Sequence, residues 1–234
     1  GMGDFEREYG WGEDCHTLPP AGHQDTFMGI RRADGRAATR NYIGVLSSVN
    51  CSATVVKAIE DHFRLHGLGD YPNVDGVVAL PQSFGCAIGS KSESMEVMRR
   101  TMAGYATHVN FAGVIIIGLG CESSQIKDMM NAHGLSDGPM LHSFTIQEIG
   151  GTRHAIARGI ERINEMLPQA NQVQREPIPA AEIILALECG GSDSYSGISA
   201  NPALGYAVDK LVQQGGTAIL SETSEIYGAE HLLT

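Results

Sequence analysis

Short blocks of β-branched and aliphatic residues alternate along this chain with segments whose apolar positions recur every three or four residues. The blocks are Tyr42–Val49 (YIGVLSSV), Val74–Leu80 (VDGVVAL), Phe111–Leu119 (FAGVIIIGL), Met140–Ile146 (MLHSFTI), Ala181–Leu187 (AEIILAL) and Thr217–Glu222 (TAILSE). The richest are apolar without interruption, as parallel strands covered on both faces should be. Between them, Ala53–His66 sets Val56, Ile59 and Phe63 on one helical stripe, and Thr152–Leu167 does the same with Ile156, Ile160, Ile163 and Leu167. Ser90–Tyr105 carries Met95, Met98 and Met102, a stripe that reads as core filling. Asn201 as N-cap, Pro202 at the first helical position and Gly215-Gly216 past the end bracket a last helix. His142, inside a strand block, is expected in the core. Strands alternating with crossover helices predict an α/β, Rossmann-like layered fold: a mostly parallel sheet of about six strands flanked by helices. Residues 1–26 read as a polar arm or linker and 27–170 as a first α/β lobe. After the linker-like 171–180, residues 181–234 read as a second βαβ portion, packed on the same sheet and cut short at its C-terminal end.

The charge balance narrows the partners. Sixteen basic against twenty-seven acidic residues give −11, which argues against non-specific binding to nucleic acid or an anionic membrane. No apolar run approaches the ~20 residues of a bilayer span. The acidic N-terminus has no apolar core that would mark a signal peptide. Five cysteines without close pairs fit a reducing compartment, so the cytoplasm is the expected location. Twenty-nine glycines without a triplet period point to tight turns rather than to collagen.

Cysteine position carries the chemical signal. Cys51, Cys86 and Cys121 are spaced by 35 residues, and Cys189 follows after nearly two more such steps. One strand plus one crossover helix takes about 30 residues or more, so each cysteine directly follows a predicted strand. Parallel strands end along one edge, where open α/β sheets bind ligands and helix N-termini favour thiolate. The alternative is that these are small buried packing residues. Cys15 lies outside the series. Around the expected rim stand Asn50 beside Cys51, and the carboxylates Glu122, Glu188 and Glu222 at strand ends. Each carboxylate is either a general base or metal ligand, or an acceptor for its own loop amides. Arg31, Arg32, Arg36 and Arg40 form a local cationic run suited to a carboxylate. The loop GGSDSYSGISANP gathers Ser192, Asp193, Ser196 and Asn201, a polar surface for hydroxyls and carboxylates. P-loop, nucleophile-elbow, C-x-x-C and H-E-x-x-H motifs are all absent.

Three stretches, GIRRADGRAATRNYIGVLSSVNCSA, GLGCESSQ and ECGGSDSYSGISANPALGYAVDKLVQQGGTAILSETSEIYGAEHLL, resemble the altronate dehydratase/galactarate dehydratase family of sugar-acid hydro-lyases from about Phe27 to the last residue. The resemblance implies dehydration of an aldonic or aldaric acid to a 2-keto-3-deoxy acid, or in some relatives elimination of sulfite from sulfolactate. It further implies a divalent metal, iron(II) favoured and manganese second, with an iron–sulfur cluster as the alternative. Cys51, Cys86, Cys121 and Cys189 are then the expected metal ligands, since thiolates favour iron over magnesium. Glu122 or Glu188 is the expected base or a group steadying a ligand. Arg36, Arg40, Asn50, Ser192, Asp193, Ser196 and Asn201 are expected on substrate. Expected partners are the sugar acid, a SAF-type domain or subunit, and a further C-terminal part of the catalytic unit. The piece alone is expected to be inactive, or else to serve as a non-catalytic binding or assembly module. A homo-oligomer stays open. Gln82 stands where many members carry histidine before the second cysteine, which leaves the substrate open as well.

Overall fold

In a computed structural model, the apolar blocks become strands and the periodic segments between them become helices. Residues 19–86, 88–191, 194–228 and 230–232 are described. The chain divides into two units, one of Gly29–Glu176 and another formed by the residues up to Met28 and from Pro177 onward.

In the larger unit, β1 (Thr26–Arg31) turns back through Asp34-Gly35 into the two-residue β2 (Ala37–Ala38), with Ile30 opposite Ala38. There follow β3 (Tyr42–Ser47), α1 (Ala53–His66), β4 (Gly76–Leu80), α2 (Glu93–Ala106) and β5 (Phe111–Gly118). Then come α3 (Ile126–Ala132), β6 (Leu141–Thr145), the four-residue α4 (Ile146–Ile149) and α5 (Thr152–Ala170). The strands β4-β3-β5-β6 form one sheet in that order, all parallel.

Strand alternation sorts the core into two layers. Ile43, Val45, Ile115 and Ile117 face Val56, Ile59 and Phe63 of α1 and Ile163, Met166 and Leu167 of α5. Leu46, Val114 and Ile116 face Met102 and Ala103 of α2 and Met129 and Met130 of α3. Each fully buried aliphatic chain contributes roughly 1.5–3 kcal/mol, so covering both faces is what holds a parallel sheet of this kind. The methionine stripe lies in the core as expected, with Met95, Met98 and Met102 all buried.

The strand order also fixes where a site can form. From β3 the chain crosses to β4 on one side, then returns past β3 to β5 on the other. The loops that leave β3 and β5 therefore diverge and open a crevice at the carboxyl edge.

In the other unit, β8 (Ile184–Leu187), α6 (Ala200–Gln213) and β9 (Thr217–Leu220) form a parallel pair with its crossover helix. A short β7 (Glu176–Pro179) occupies part of the linker-like stretch. Among the described residues the parallel sheet has four strands and not about six, and β8 and β9 form a parallel pair.

Three local readings change. His142 is half-buried and not core, because β6 is an edge strand. Asn201 lies inside the first turn of α6 rather than at its cap. The turn Tyr195–Ser199, closed by Ser199 Oγ donating to the Tyr195 carbonyl at 2.8 Å, winds the chain before Asn201 is reached. Pro168 falls within α5, which runs three residues past its predicted end. No helix among the described residues is long and apolar enough to cross a membrane.

Candidate active site at the carboxyl edge of the sheet

Three loops leave the carboxyl ends of β3, β4 and β5, and hydrogen bonds sew them together. The Cys51 turn is tied to β5 by Ser52 Oγ, which donates to the carbonyls of Ile117 (2.7 Å) and Val49 (2.9 Å). The β4 loop is laid on that turn by Asn50 N–H donating to the Phe84 carbonyl at 2.9 Å, and by Gln82 N–H donating to Ser47 Oγ at 2.5 Å. Gly85 makes the contact close: its φ is +122°, and a Cβ there would stand 3.0 Å from the Ser48 carbonyl oxygen. The β5 loop joins through Ser123 Oγ, which donates to the Cys86 carbonyl at 3.3 Å.

This stitching puts Cys51 Sγ 3.9 Å from Cys86 Sγ, with Cys51, Cys86 and Cys121 all exposed. The contact to Cys51, then partial desolvation and the nearby charges of Cys51, Cys121 and Glu122, holds the Cys86 thiol above its ordinary range. Two thiolates on one tetrahedral metal, each at about 2.3 Å, would stand roughly 3.8 Å apart. The pair therefore fits one edge of a thiolate metal site. Among the described residues, no group of three or more His, Cys, Asp or Glu is gathered to complete one.

Glu122 is 2% exposed, and both of its oxygens are occupied. Oε1 accepts from Ser48 Oγ (2.9 Å) and from Leu119 N–H (3.2 Å), and Oε2 accepts from Gly120 N–H (2.5 Å). Gln125 Nε2 donates to the Glu122 carbonyl at 2.6 Å. Gly118 leaves room for the carboxylate, since a Cβ there would lie 2.1 Å from Glu122 Oε1. The carboxylate thus accepts from its own loop amides and from Ser48, in the turn that carries Cys121. Beside it, Gly120, Gln125, Lys127, Ser143, Thr145 and Gln147 line a polar cleft of about 480 Å³.

The arginines lie elsewhere. Arg32 donates to the Val109 carbonyl (2.7 Å) and to Asn41 Oδ1 (3.0 Å), while the backbone N–H of Arg40 donates to Asn110 Oδ1 (3.1 Å). Asn41 and Asn110 immediately precede β3 and β5, so this cluster sits at the amino edge, a strand length of roughly 20 Å from the thiols. Arg36 pairs with Asp34 at 2.7 Å and pulls that carboxyl below its usual range. Arg36 and Arg40 are thus not brought to the cysteine rim.

In the other unit a cavity of about 210 Å³ at the carboxyl ends of β8 and β9 gathers Glu188, Cys189, Asn201, Ser221 and Glu222. Glu222 Oε2 accepts from Cys189 N–H at 3.0 Å, and Glu188 is exposed. Ser196 is half-buried, and its carbonyl accepts from Asn201 N–H at 2.8 Å. Ser192 and Asp193 lie outside the described residues. Sequence reasoning missed Ser48, Ser52, Gln125 and Gln147. For Ser48, Ser52 and Gln125 the available signal was a serine or glutamine within four residues of a cysteine; Gln147 had none.

Residues 29–171 match the family model "D-galactarate dehydratase/Altronate hydrolase, second domain", and residues 180–234 match "D-galactarate/Altronate dehydratase, C-terminal". The chain belongs to this family. The break between the two matches falls where the chain divides into its two units. The altronate dehydratase of Escherichia coli is 32% identical over 227 residues, covering 97% of this chain and 44% of that protein. The galactarate dehydratase (L-threo-forming) of the same organism is 38% identical, covering 94% of this chain and 45% of that protein. The (2R)-sulfolactate sulfo-lyase subunit beta of Chromohalobacter salexigens is 33% identical, covering 89% and 49%. The chain thus spans less than half the length of each of these relatives.

Proposed function

We propose that this chain supplies one part of a metal-dependent sugar-acid hydro-lyase that dehydrates an aldonic or aldaric acid, such as altronate or galactarate, to a 2-keto-3-deoxy acid. The observation that carries the reading is the Cys51–Cys86 pair at the strand-order reversal of a chain that belongs to this family.

The reaction removes the proton α to the carboxylate and expels hydroxide from the neighbouring carbon, and the resulting enol becomes the ketone. A divalent metal, iron(II) favoured, would supply charge stabilisation for the enolate-like species. Cys51 and Cys86 would hold it, with Cys121 as a further candidate in the same unit, while Cys189 belongs to the other unit. In this reading Glu122 positions the Cys121 turn and does not move the proton, because it is buried and both of its oxygens are committed to Ser48, Leu119 and Gly120. Glu188, exposed beside Cys189, is the candidate base. Exposed Asn50 in the one unit, and Ser196 and Asn201 in the other, are each candidate groups for hydroxyls and carboxylates. The SAF-type partner, the cytoplasmic location and the additional catalytic segments belong to the same proposal.

The sulfo-lyase relative motivates a second reading, elimination of sulfite from sulfolactate. A panel of aldonates, aldarates and sulfolactate, assayed with the complete protein for 2-keto acid and for sulfite, separates the two. Keto-deoxy acid from a sugar acid, lost in Cys86→Ser, supports the proposal. Sulfite release alone favours the second reading, and no product from any acid leaves a binding or assembly module.

A further inference from the structure

We propose that Cys51 and Cys86 are a modification site: a dithiol that closes to a reversible disulfide under a two-electron oxidant such as hydrogen peroxide. The inference concerns the sulfur pair of the proposed lyase centre and would act there as a switch, but the disulfide itself does not depend on the chain being a lyase.

The sulfurs stand 3.9 Å apart on two exposed residues. Bond formation at about 2.05 Å needs an approach of roughly 1.9 Å, and rotation of either cysteine about χ1 sweeps its sulfur through a comparable arc. The backbone carrying the two residues is already docked. Asn50 N–H reaches the Phe84 carbonyl, and Gly85 lies against Ser48 and Val49. Little loop ordering remains to oppose closure, which is the condition for a fast and specific pairing.

The chemistry balances. One thiolate attacks a peroxide oxygen; the O–O bond breaks, hydroxide leaves and a sulfenic acid forms. The second thiol attacks that sulfur, the S–O bond breaks, water leaves and the S–S bond forms. Two thiols and one peroxide become one disulfide and two waters, and a thiol reductant reverses the change. Both sulfurs would then be withdrawn from any metal.

The test treats the chain with equimolar peroxide, blocks residual thiols with N-ethylmaleimide and maps peptides by mass spectrometry without reduction. A Cys51–Cys86 peptide pair lighter by two hydrogens is expected. It should be restored to two thiols by dithiothreitol and be absent from Cys51→Ser and from Cys86→Ser, with circular dichroism confirming that both variants fold. Both cysteines found alkylated, either one found as sulfinic acid without a cross-link, or a bond to another cysteine would overturn the proposal. Repeating the reaction with zinc(II) present separates it from the metal reading. Protection supports a shared site. A disulfide that forms equally fast with zinc leaves the modification standing and counts against metal binding at these sulfurs.

Discussion

Replacing Glu122 with glutamine keeps the shape of the buried side chain and removes its charge. The native carboxylate accepts three hydrogen bonds, two at Oε1 from Ser48 and Leu119 and one at Oε2 from Gly120. The glutamine oxygen can replace only one of the two acceptors. Facing Ser48 and Leu119, it turns its NH₂ toward the Gly120 N–H, so one bond is lost and two donors oppose each other in a site that is 2% exposed. Hydrogen bonds to a charged acceptor contribute about 1.5–3 kcal/mol, and a buried donor left without a partner costs about 1–3 kcal/mol, so local opening of this turn should become easier by about 2–4 kcal/mol. At 1.4 kcal/mol per factor of ten, amide exchange there should accelerate roughly 30- to 700-fold. Hydrogen–deuterium exchange read on peptides covering Leu119–Gln125 measures this, with α5 peptides as the internal control. Unchanged protection at Leu119 and Gly120 would refute that positioning role. Loss of dehydratase turnover without any loss of protection would return Glu122 to the role of base.

Ser52→Ala removes the hydroxyl that ties the Cys51 turn to β5 and should lower stability by about 1–2 kcal/mol in urea unfolding; an unchanged midpoint contradicts the tie. Gly85→Ala places a Cβ 3.0 Å from the Ser48 carbonyl oxygen at a φ of +122°, and should cost about 1–3 kcal/mol by the same assay. Asn41 is fully buried, donates to the Asn73 and Ala170 carbonyls and accepts from Arg32; Asn41→Ala should cost about 2–4 kcal/mol, against no loss if that network is dispensable. His108 is held below its ordinary range by burial and then by Arg36, and its Nδ1 accepts from Asn110 N–H at 3.2 Å. The folded state therefore binds the His108 proton less readily than the unfolded chain. Its contribution is complete above the unfolded value of about 6.5 and is lost as pH falls through and below it. Urea midpoints at pH 7.5 and pH 5 should differ less in His108→Gln than in wild type, and an equal difference refutes the assignment.

How far the sequence reached follows from what each signal measures. Continuous apolar blocks mark strands, so the four strands of the parallel sheet and the Val56, Ile59 and Phe63 stripe of α1 were legible. The burial the blocks imply is met in β3 and β5 but not in β8 and β9, which are largely exposed. Sheet membership was not legible, because register and partner choice depend on contacts far apart in sequence; β8 and β9 read like central strands yet, among the described residues, form a two-stranded pair. The 35-residue cysteine period correctly placed three thiols after strands, since one βα unit sets that length. The same reasoning misplaced the arginines. Residues that precede a strand arrive at its amino edge, so Arg36 and Arg40 lie a strand length from Cys51, however close they are in sequence. Glu122 was legible as a buried or a catalytic carboxylate but not as which, because the deciding donors are the hydroxyl of Ser48, from a different strand end, and two backbone amides. Ser192 and Asp193 lie outside the described residues.

The central claim is that the sulfurs of Cys51 and Cys86 act together as metal ligands where the strand order reverses. Elemental analysis of anaerobically purified wild-type protein, Cys51→Ser and Cys86→Ser tests it most directly. Iron or another divalent metal in the wild type, lost from both folded variants, is the predicted result. A metal-free wild type, or equal metal in all three proteins, would contradict the account.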